Sequence, residues 1–312
     1  MVLTSQATKD LLARQLKEWD QARSNYDALD KVKVKEFAVD DFVLRVQFNP
    51  GRIQSSAAKV DAKSISERKC FLCPQNLPVA QEGIPFKNEY QVLVNPFPIF
   101  PEHFTIPAYK HVDQLILGRY TDMLDLAENM DKYIIFYNGP KCGASAPDHV
   151  HFQAGSKGFL PLEKEIGKIV FKPLLKDSAA TLYRSEEYLC NFFLIKSSDK
   201  EAAGCLFRKL YGLLDIRDGE QEPMMNILTW YDNDIWISCI FPRELHRPSC
   251  YFAEGDDNML ISPASVDLGG VFITPLEKDF MKITAEDLVR IYREVCISDE
   301  KMDRIVKNIR NI

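Results

Sequence analysis

Two hydrophobic periods divide the chain into helices and strands. Over residues 5–30, Leu12, Leu16, Trp19 and Tyr26 recur at the spacing of one amphipathic helix, with Lys, Asp, Arg and Glu between them. The same period predicts helices over residues 113–132, 200–214, 284–296 and 298–309; in the first of these Leu117, Met123, Leu124, Ala127 and Met130 share a side. Alternation over Phe42–Phe48 predicts a strand that runs into a turn at Asn49-Pro50-Gly51-Arg52. Further extended segments fall at residues 91–94, 100–107, 133–137, 188–195, 224–230 and 235–241, and the last two read as a hairpin across Tyr231-Asp232-Asn233-Asp234. Residues 54–68 read as a basic loop and 172–185 as a connection. The strand–strand–helix order occurs twice. It predicts an α+β fold of two pseudo-repeated halves, residues 1–180 and 181–312, each an antiparallel sheet with helices packed on it. No low-complexity linker separates them, so the halves are expected to share an interface.

The strand at 133–137 delivers the chain into the segment richest in chemistry, Asn138-Gly139-Pro140-Lys141-Cys142-Gly143-Ala144-Ser145-Ala146-Pro147-Asp148-His149-Val150-His151-Phe152-Gln153. Alternate residues of a strand face the same way, so His149, His151 and Gln153 form one polar row. The Gly/Ala/Ser run before them is small enough for backbone N–H groups to approach an anion. A nucleophile row beside a phosphate cradle points to phosphoryl or nucleotidyl chemistry. A strand with chance histidines is the plain alternative, and it is disfavoured because the chain has only 5 histidines in 312 residues.

Composition narrows the partners. The 39 Lys and Arg against 45 Asp and Glu give a net charge of −6, which argues against broad nucleic-acid or anionic-membrane binding and makes any phosphate site local. No apolar run is long enough to span a bilayer and the first residues do not form a signal peptide, so the expected location is the cytoplasm. Eight cysteines in a chain of this length do not read as a disulfide framework. Cys70 and Cys73 stand apart from the others. Their two-residue gap lets both thiolates reach one tetrahedral metal, and it also fits a redox pair, although no β-α-β pattern surrounds it. With His103 and His149 they make a Cys₂His₂ set suited to a structural zinc, the alternative being a surface Cys pair and two unrelated histidines. His151 is then the histidine left to act as nucleophile, with Gly143, Ala144, Ser145 and Asn138 supplying donors to the phosphoryl oxygens. Gln153 can donate a hydrogen bond there but cannot act as an acid, which favours group transfer over hydrolysis.

The text Asn138-Gly139, Gly143-Ala144-Ser145 and His149-Val150-His151-Phe152-Gln153 resembles the active-site motif of the histidine-triad superfamily. It is closest to the branch holding galactose-1-phosphate uridylyltransferase, diadenosine tetraphosphate phosphorylase and GDP-hexose phosphorylase, in which glutamine replaces the third histidine. The resemblance implies that His151 is the nucleophile. It also implies that Cys70, Cys73, His103 and His149 bind zinc as in the uridylyltransferases, and that Asn95 in Val94-Asn95-Pro96-Phe97 contacts the nucleoside. Asn226-Ile227-Leu228-Thr229-Trp230 and Ile240-Phe241-Pro242-Arg243 are similar to the C-terminal part of the dinucleoside polyphosphate phosphorylases, so the likeness covers most of residues 40–275.

The expected activity is therefore nucleotidyl transfer or phosphorolysis through a nucleotidyl-His151 intermediate. The donor is a nucleoside diphosphate sugar or a dinucleoside polyphosphate, and the acceptor is phosphate or a sugar phosphate. The expected catalytic residues are His151, Gln153 and Ser145. Arg52, Lys59, Arg243 and His246 are the cationic candidates for the leaving-group phosphates. The cofactor is a structural zinc, and the protein a monomer or homodimer. A triad-type hydrolase is disfavoured by Gln153, and a non-catalytic nucleotide-binding zinc protein by the presence of His151.

Overall fold

The computed structural model describes residues 2–53 and 60–309. Thirteen strands form two sheets: β1 (Lys33–Val39), β2 (Phe42–Phe48), β3 (Gly83–Phe86), β4 (Tyr90–Val94), β5 (His103–Pro107), β6 (Tyr133–Asn138), β7 (His151–Ser156), β8 (Val170–Asp177), β9 (Ala180–Glu186), β10 (Phe193–Ser197), β11 (Met225–Asp232), β12 (Ile235–Pro242) and β13 (Val271–Thr274). Six longer helices accompany them: α1 (Ser5–Glu18), α2 (Asp20–Leu29), α3 (Tyr120–Asn129), α4 (Lys200–Tyr211), α5 (Ala285–Val295) and α6 (Asp299–Ile309).

The main sheet has ten strands in the order β3-β4-β5-β7-β6-β11-β12-β10-β9-β8. Read outward from the β6–β11 junction, the two sides mirror each other. Each is a five-strand unit, with α3 inserted between β5 and β6 on one side and α4 between β10 and β11 on the other. The two antiparallel halves expected from the sequence are therefore present, fused into one continuous sheet. The units run over residues 83–156 and 170–242, so residue 180 lies inside the second unit, between the strands of the β8–β9 hairpin. A separate three-stranded sheet pairs β1 with β2 antiparallel and β2 with β13 parallel, joining the two ends of the chain.

Strand β6 shows how the sheet holds the molecule together. Its six residues are all buried. Tyr133, Ile135 and Tyr137 face one hydrophobic core, and Ile134 and Phe136 face a second core on the other side. Full burial of an isoleucine such as Ile134 or Ile135 contributes roughly 2–3 kcal/mol. Helices α3 and α4 close the first core, where the rings of Tyr120 and Phe207 stack at 4.0 Å between centroids.

Several elements differ from the sequence expectation. The single helix expected over residues 5–30 is two, because Trp19 leaves the helical region at φ −120°, ψ 98° and ends α1 where α2 begins. Thr4 starts α1 by accepting from the Ala7 N–H at 3.1 Å. The helix expected over 113–132 occupies only Tyr120–Asn129, because residues before it are held in extended contacts with the β6–β7 region. The connection expected at 172–185 is the β8–β9 hairpin, turned by Ser178 at φ +42°. Its outer strand is largely exposed and carries Lys172 and Lys176, a composition that suits a sheet edge. Within the expected basic loop, Ala62–Glu67 is a short helix. No helix among the described residues is long and apolar enough to cross a membrane.

Candidate functional site

Strand β7 pairs with β5 on one side and β6 on the other, and its register fixes the site. Thr105 lies opposite Gln153 and Pro107 opposite His151, so one face of β5 and β7 carries His103, Thr105, His151 and Gln153. That face lines a cavity of about 600 Å³. Gly143, Ala144, Ser145, Asn138, Asn95 and Arg52 also line it.

His151 is buried and held at three points. Its backbone N–H donates to Gln114 Oε1 at 2.7 Å, and Gln114 Nε2 donates to the His151 carbonyl at 3.0 Å and to the Asn138 carbonyl at 2.9 Å. Its Nδ1 lies 2.8 Å from the His149 carbonyl. A carbonyl can only accept, so Nδ1 carries the proton and the Nε2 lone pair is left for the cavity. Burial pushes the imidazole pKa down to about 4, partly opposed by the His149 carbonyl, which keeps the ring neutral.

The loop after β6 depends on glycine at one position. Gly143 has φ +93°, and a Cβ there would meet Ala264 Cβ at 2.5 Å. This close approach brings the segment around Ala264 against the small-residue run. Asn138 Oδ1 accepts from Ser265 N at 2.9 Å, Ser265 Oγ at 2.7 Å and Asn226 Nδ2 at 2.9 Å. With its oxygen fully engaged, the Asn138 amide nitrogen is the end left to face a ligand. Asn95 is fixed at the end of β4, where its Oδ1 accepts from Phe97 N at 2.9 Å and its Nδ2 donates to Thr105 Oγ1 at 3.0 Å.

A second cluster lies at the other end of the motif. Cys70, Cys73, His111 and His149 each offer one ligand atom, all within 4.8 Å of one another. Cys70 Sγ is 3.2 Å from His149 Nδ1, and Cys73 Sγ is 3.3 Å from His111 Nδ1. Separations of this size suit a tetrahedral metal with two thiolates and two imidazoles. The outer nitrogens support the same reading: His149 Nε2 meets the Ala108 carbonyl at 2.8 Å, and His111 Nε2 lies 3.6 Å from Asp148 Oδ2. An outer carbonyl or carboxylate orients the ring so that Nδ1 is the ligating atom. Burial raises the Cys70 thiol, but hydrogen bonds from His149, the Leu72 backbone and Cys73, with the charge of His149, together outweigh it and bring the pKa down to about 6. Burial and the neighbouring Cys70 push Cys73 up to about 11.

The fourth ligand expected from the sequence is thus corrected. His103 pairs with Gly155, at the far end of β7 from His149, and its Nε2 contacts Gln153 Oε1 at 3.0 Å. The antiparallel register carries the chain past Pro107, opposite His151, towards His149, and the histidine that arrives there is His111. Their rings lie 5.1 Å apart.

Arg243 is also corrected. Its guanidinium is buried and spends its donors on Val295 O (2.9 Å), Pro263 O (3.0 Å), Leu245 O (3.0 Å), His246 O (3.2 Å) and Asn226 Oδ1. It is a structural clamp and does not line the cavity. His246 lines the cavity, with its pKa lowered to about 4 by burial and by the nearby Arg247 and Arg243. Arg52 also lines it and donates to the Phe97 carbonyl at 2.8 Å. Lys59 lies outside the described residues.

Trp19, expected only on the apolar face of a helix, is buried at the α1–α2 break and lines the cavity, as do Arg68 at the end of the expected basic loop and Arg247 of the basic turn after β12. Arg68 pairs with Asp148, and Arg247 Nε donates to Ser262 Oγ at 3.1 Å. The helix break at Trp19 had no signal in the apolar period, and Gln114, Asn226 and Ser265 are single polar residues among ordinary text.

A family model described as "Domain of unknown function (DUF4922)" matches residues 11–156. Diadenosine 5',5'''-P1,P4-tetraphosphate phosphorylase 2 of Saccharomyces cerevisiae is 31% identical over 140 residues, a match covering 38% of this chain and 43% of that protein. The matched segment thus spans less than half the length of this curated relative. The crystal structure of the yeast Ap4A phosphorylase Apa2 superposes with a TM-score of 0.55 at 18% identity, over 89% of this chain and 96% of that one. The structure of Apa2 in complex with Ap4A gives 0.53 at 18% identity, over 90% and 97%.

Proposed function

We propose that this chain, a member of the histidine-triad superfamily related to the Ap4A phosphorylases, is a nucleotidyltransferase working through His151. The observation that carries the reading is the 2.8 Å contact from His151 Nδ1 to the His149 carbonyl, which leaves a neutral Nε2 nucleophile beside a cradle of donors. Nε2 attacks the α-phosphorus of a dinucleoside polyphosphate or nucleoside diphosphate sugar. An N–P bond forms, the bond to the bridging oxygen breaks, and the leaving phosphate departs with the electron pair. The His149 carbonyl accepts from Nδ1–H throughout and steadies the positive charge on the nucleotidyl-imidazole. An acceptor phosphate oxygen then attacks phosphorus and restores the neutral imidazole; inorganic phosphate as acceptor yields a nucleoside diphosphate.

The Gly143–Ser145 segment and Asn138 supply donors to the oxygens of the transferred group. Gln153 adds a donor but no proton. That restricts efficient chemistry to leaving groups that depart as stable anions, as phosphates do, and disfavours activation of water. Arg52, Arg68 and Arg247 on the cavity wall suit the remaining phosphates. A zinc ion held by Cys70, Cys73, His111 and His149 would supply a covalent tie between the Cys70–Cys73 loop and the start of β7, and no reacting group.

Intact-mass spectrometry tests the reading. The protein is incubated, without acceptor, with diadenosine tetraphosphate, UDP-glucose, a GDP-hexose or ADP-glucose. A nucleoside monophosphate adduct present in the wild type and absent from His151→Ala is the expected result, and the adduct identifies the base. No adduct with any donor, in a protein that binds nucleotide, would overturn it.

A further inference from the structure

An amide side chain presents either its oxygen or its NH₂, and the two ends have opposite effects on a phosphoryl group. We infer that His103 is a positioning residue that fixes Gln153 with its oxygen turned away and its NH₂ turned towards the group carried by His151. The inference rests on the nucleotidyl-transfer reading for its consequence, but its geometry stands apart from it.

The direction of the relay follows from one backbone group. The Ile99 N–H donates to His103 Nδ1 at 3.2 Å, and a backbone N–H cannot accept. Nδ1 is therefore unprotonated. The ring is fully buried, and burial together with the charge of Arg52 holds its pKa down to about 3. A neutral ring with a bare Nδ1 carries its proton on Nε2. That proton faces Gln153 at 3.0 Å, so the atom receiving it is Oε1. Gln153 is then left with Nε2 as its free end, on the wall of the cavity that holds His151.

The ring is held against rotation. It packs edge-on to Phe100 at 5.4 Å and against Phe136 at 5.9 Å. Phe100 fits there because Gly155 has no side chain; a Cβ would meet its ring at 2.5 Å. The His103 backbone is clasped by Tyr26 of α2, whose hydroxyl accepts from its N–H at 3.2 Å and donates to its carbonyl at 3.0 Å. For packing alone, an apolar side chain of similar size would serve between two phenylalanines without a polar group to satisfy. The two nitrogens are both used, and both uses point at Gln153.

Two measurements test this on the full chain. In the first, nitrogen-15 NMR of the wild type labelled at histidine reads the ring tautomers between pH 5 and 8, with His103 assigned by its absence from His103→Asn or His103→Phe. The expected resonances are a bare Nδ1 and a protonated Nε2 that do not titrate. A protonated Nδ1 would place the Gln153 NH₂ against the ring and overturn the proposal. In the second, single-turnover formation of the nucleotidyl-enzyme is followed with diadenosine tetraphosphate as donor. His103→Phe is expected to slow it about 10- to 100-fold, with AMP affinity unchanged within about twofold and partial recovery in His103→Asn. Because His103 acts through Gln153, the double variant His103→Phe/Gln153→Ala should be no slower than Gln153→Ala alone. Losses that multiply would overturn the proposal. The tautomer is read without turnover, so a wild type that forms no adduct refutes the transfer reading and leaves the relay to be decided by its spectrum.

Discussion

Asn226 Nδ2 donates to Asn138 Oδ1 at 2.9 Å, across the junction of the two five-strand units. The same nitrogen donates to the Cys142 carbonyl at 2.8 Å, while Asn226 Oδ1 accepts from Arg243. The second unit has no histidine row of its own, yet it sets the orientation of an amide in the first. Asn226→Asp would place a charged oxygen against two acceptors. We expect it to lose about 1–3 kcal/mol of stability and to slow nucleotidylation of His151. Arg243→Lys should fail to restore Arg243→Ala, because an ammonium cannot reach the carbonyls that the planar fork spans. Chemical denaturation and single-turnover assays check both.

Metal content separates the two candidate ligand sets. Cys70→Ala and His111→Ala are expected to lose bound zinc and to lower the melting temperature together, while His103→Phe keeps its zinc. Metal analysis of purified variants decides the matter. Zinc retained in His111→Ala and lost in His103→Phe would restore the set read from sequence.

Glu222 gives a pH dependence of stability. It is buried behind β6, accepting from Ile116 N at 2.9 Å and from the Tyr137 hydroxyl, and burial raises its pKa from 4.5 to about 7. A carboxyl with a raised folded pKa binds its proton more tightly in the native state. Its contribution is full below the unfolded value and is lost as pH rises through the folded one, so stability falls between about pH 4.5 and 7. Glu222→Gln should flatten that slope, by on the order of 2 kcal/mol between the two ends. Urea titrations at pH 5 and 8 measure it; equal slopes in both proteins would exclude Glu222 as the source.

Trp19 lines the cavity, whereas the other two tryptophans, Trp230 and Trp236, are buried in the sheet. Nucleotide binding should therefore alter tryptophan fluorescence in the wild type and leave it unchanged in Trp19→Phe. If a base stacks on the indole, Trp19→Ala should weaken binding by about 1–3 kcal/mol. Titration with AMP tests both effects.

The strand carrying His151 and Gln153 and the repeated halves were legible because each is written locally, as a period of two or an order of elements; His149, expected in the same row, lies before the strand and turns to the cysteine cluster. His111 was not legible. Choosing between His103 and His111 requires the register of β5 against β7, a long-range property that one sequence does not print. Arg243 misled for a similar reason: a basic residue at a strand end reads as a surface cation, and only the carbonyls converging on it show that it is spent. The break at Trp19 and the buried amides Gln114 and Asn226 take their roles from tertiary contact alone.

The parallel pairing of β2 with β13 has a consequence for biosynthesis. The segment that forms one wall of the cavity, around Ala264 and Ile273, leaves the ribosome long after the cysteine loop and the histidine strand. Contacts so distant in sequence form late, after the entropy of closing a large loop has been overcome. A nascent chain thus carries Cys70, Cys73, His111 and His149 well before it carries this wall, and the cavity stays open on that side until the segment arrives.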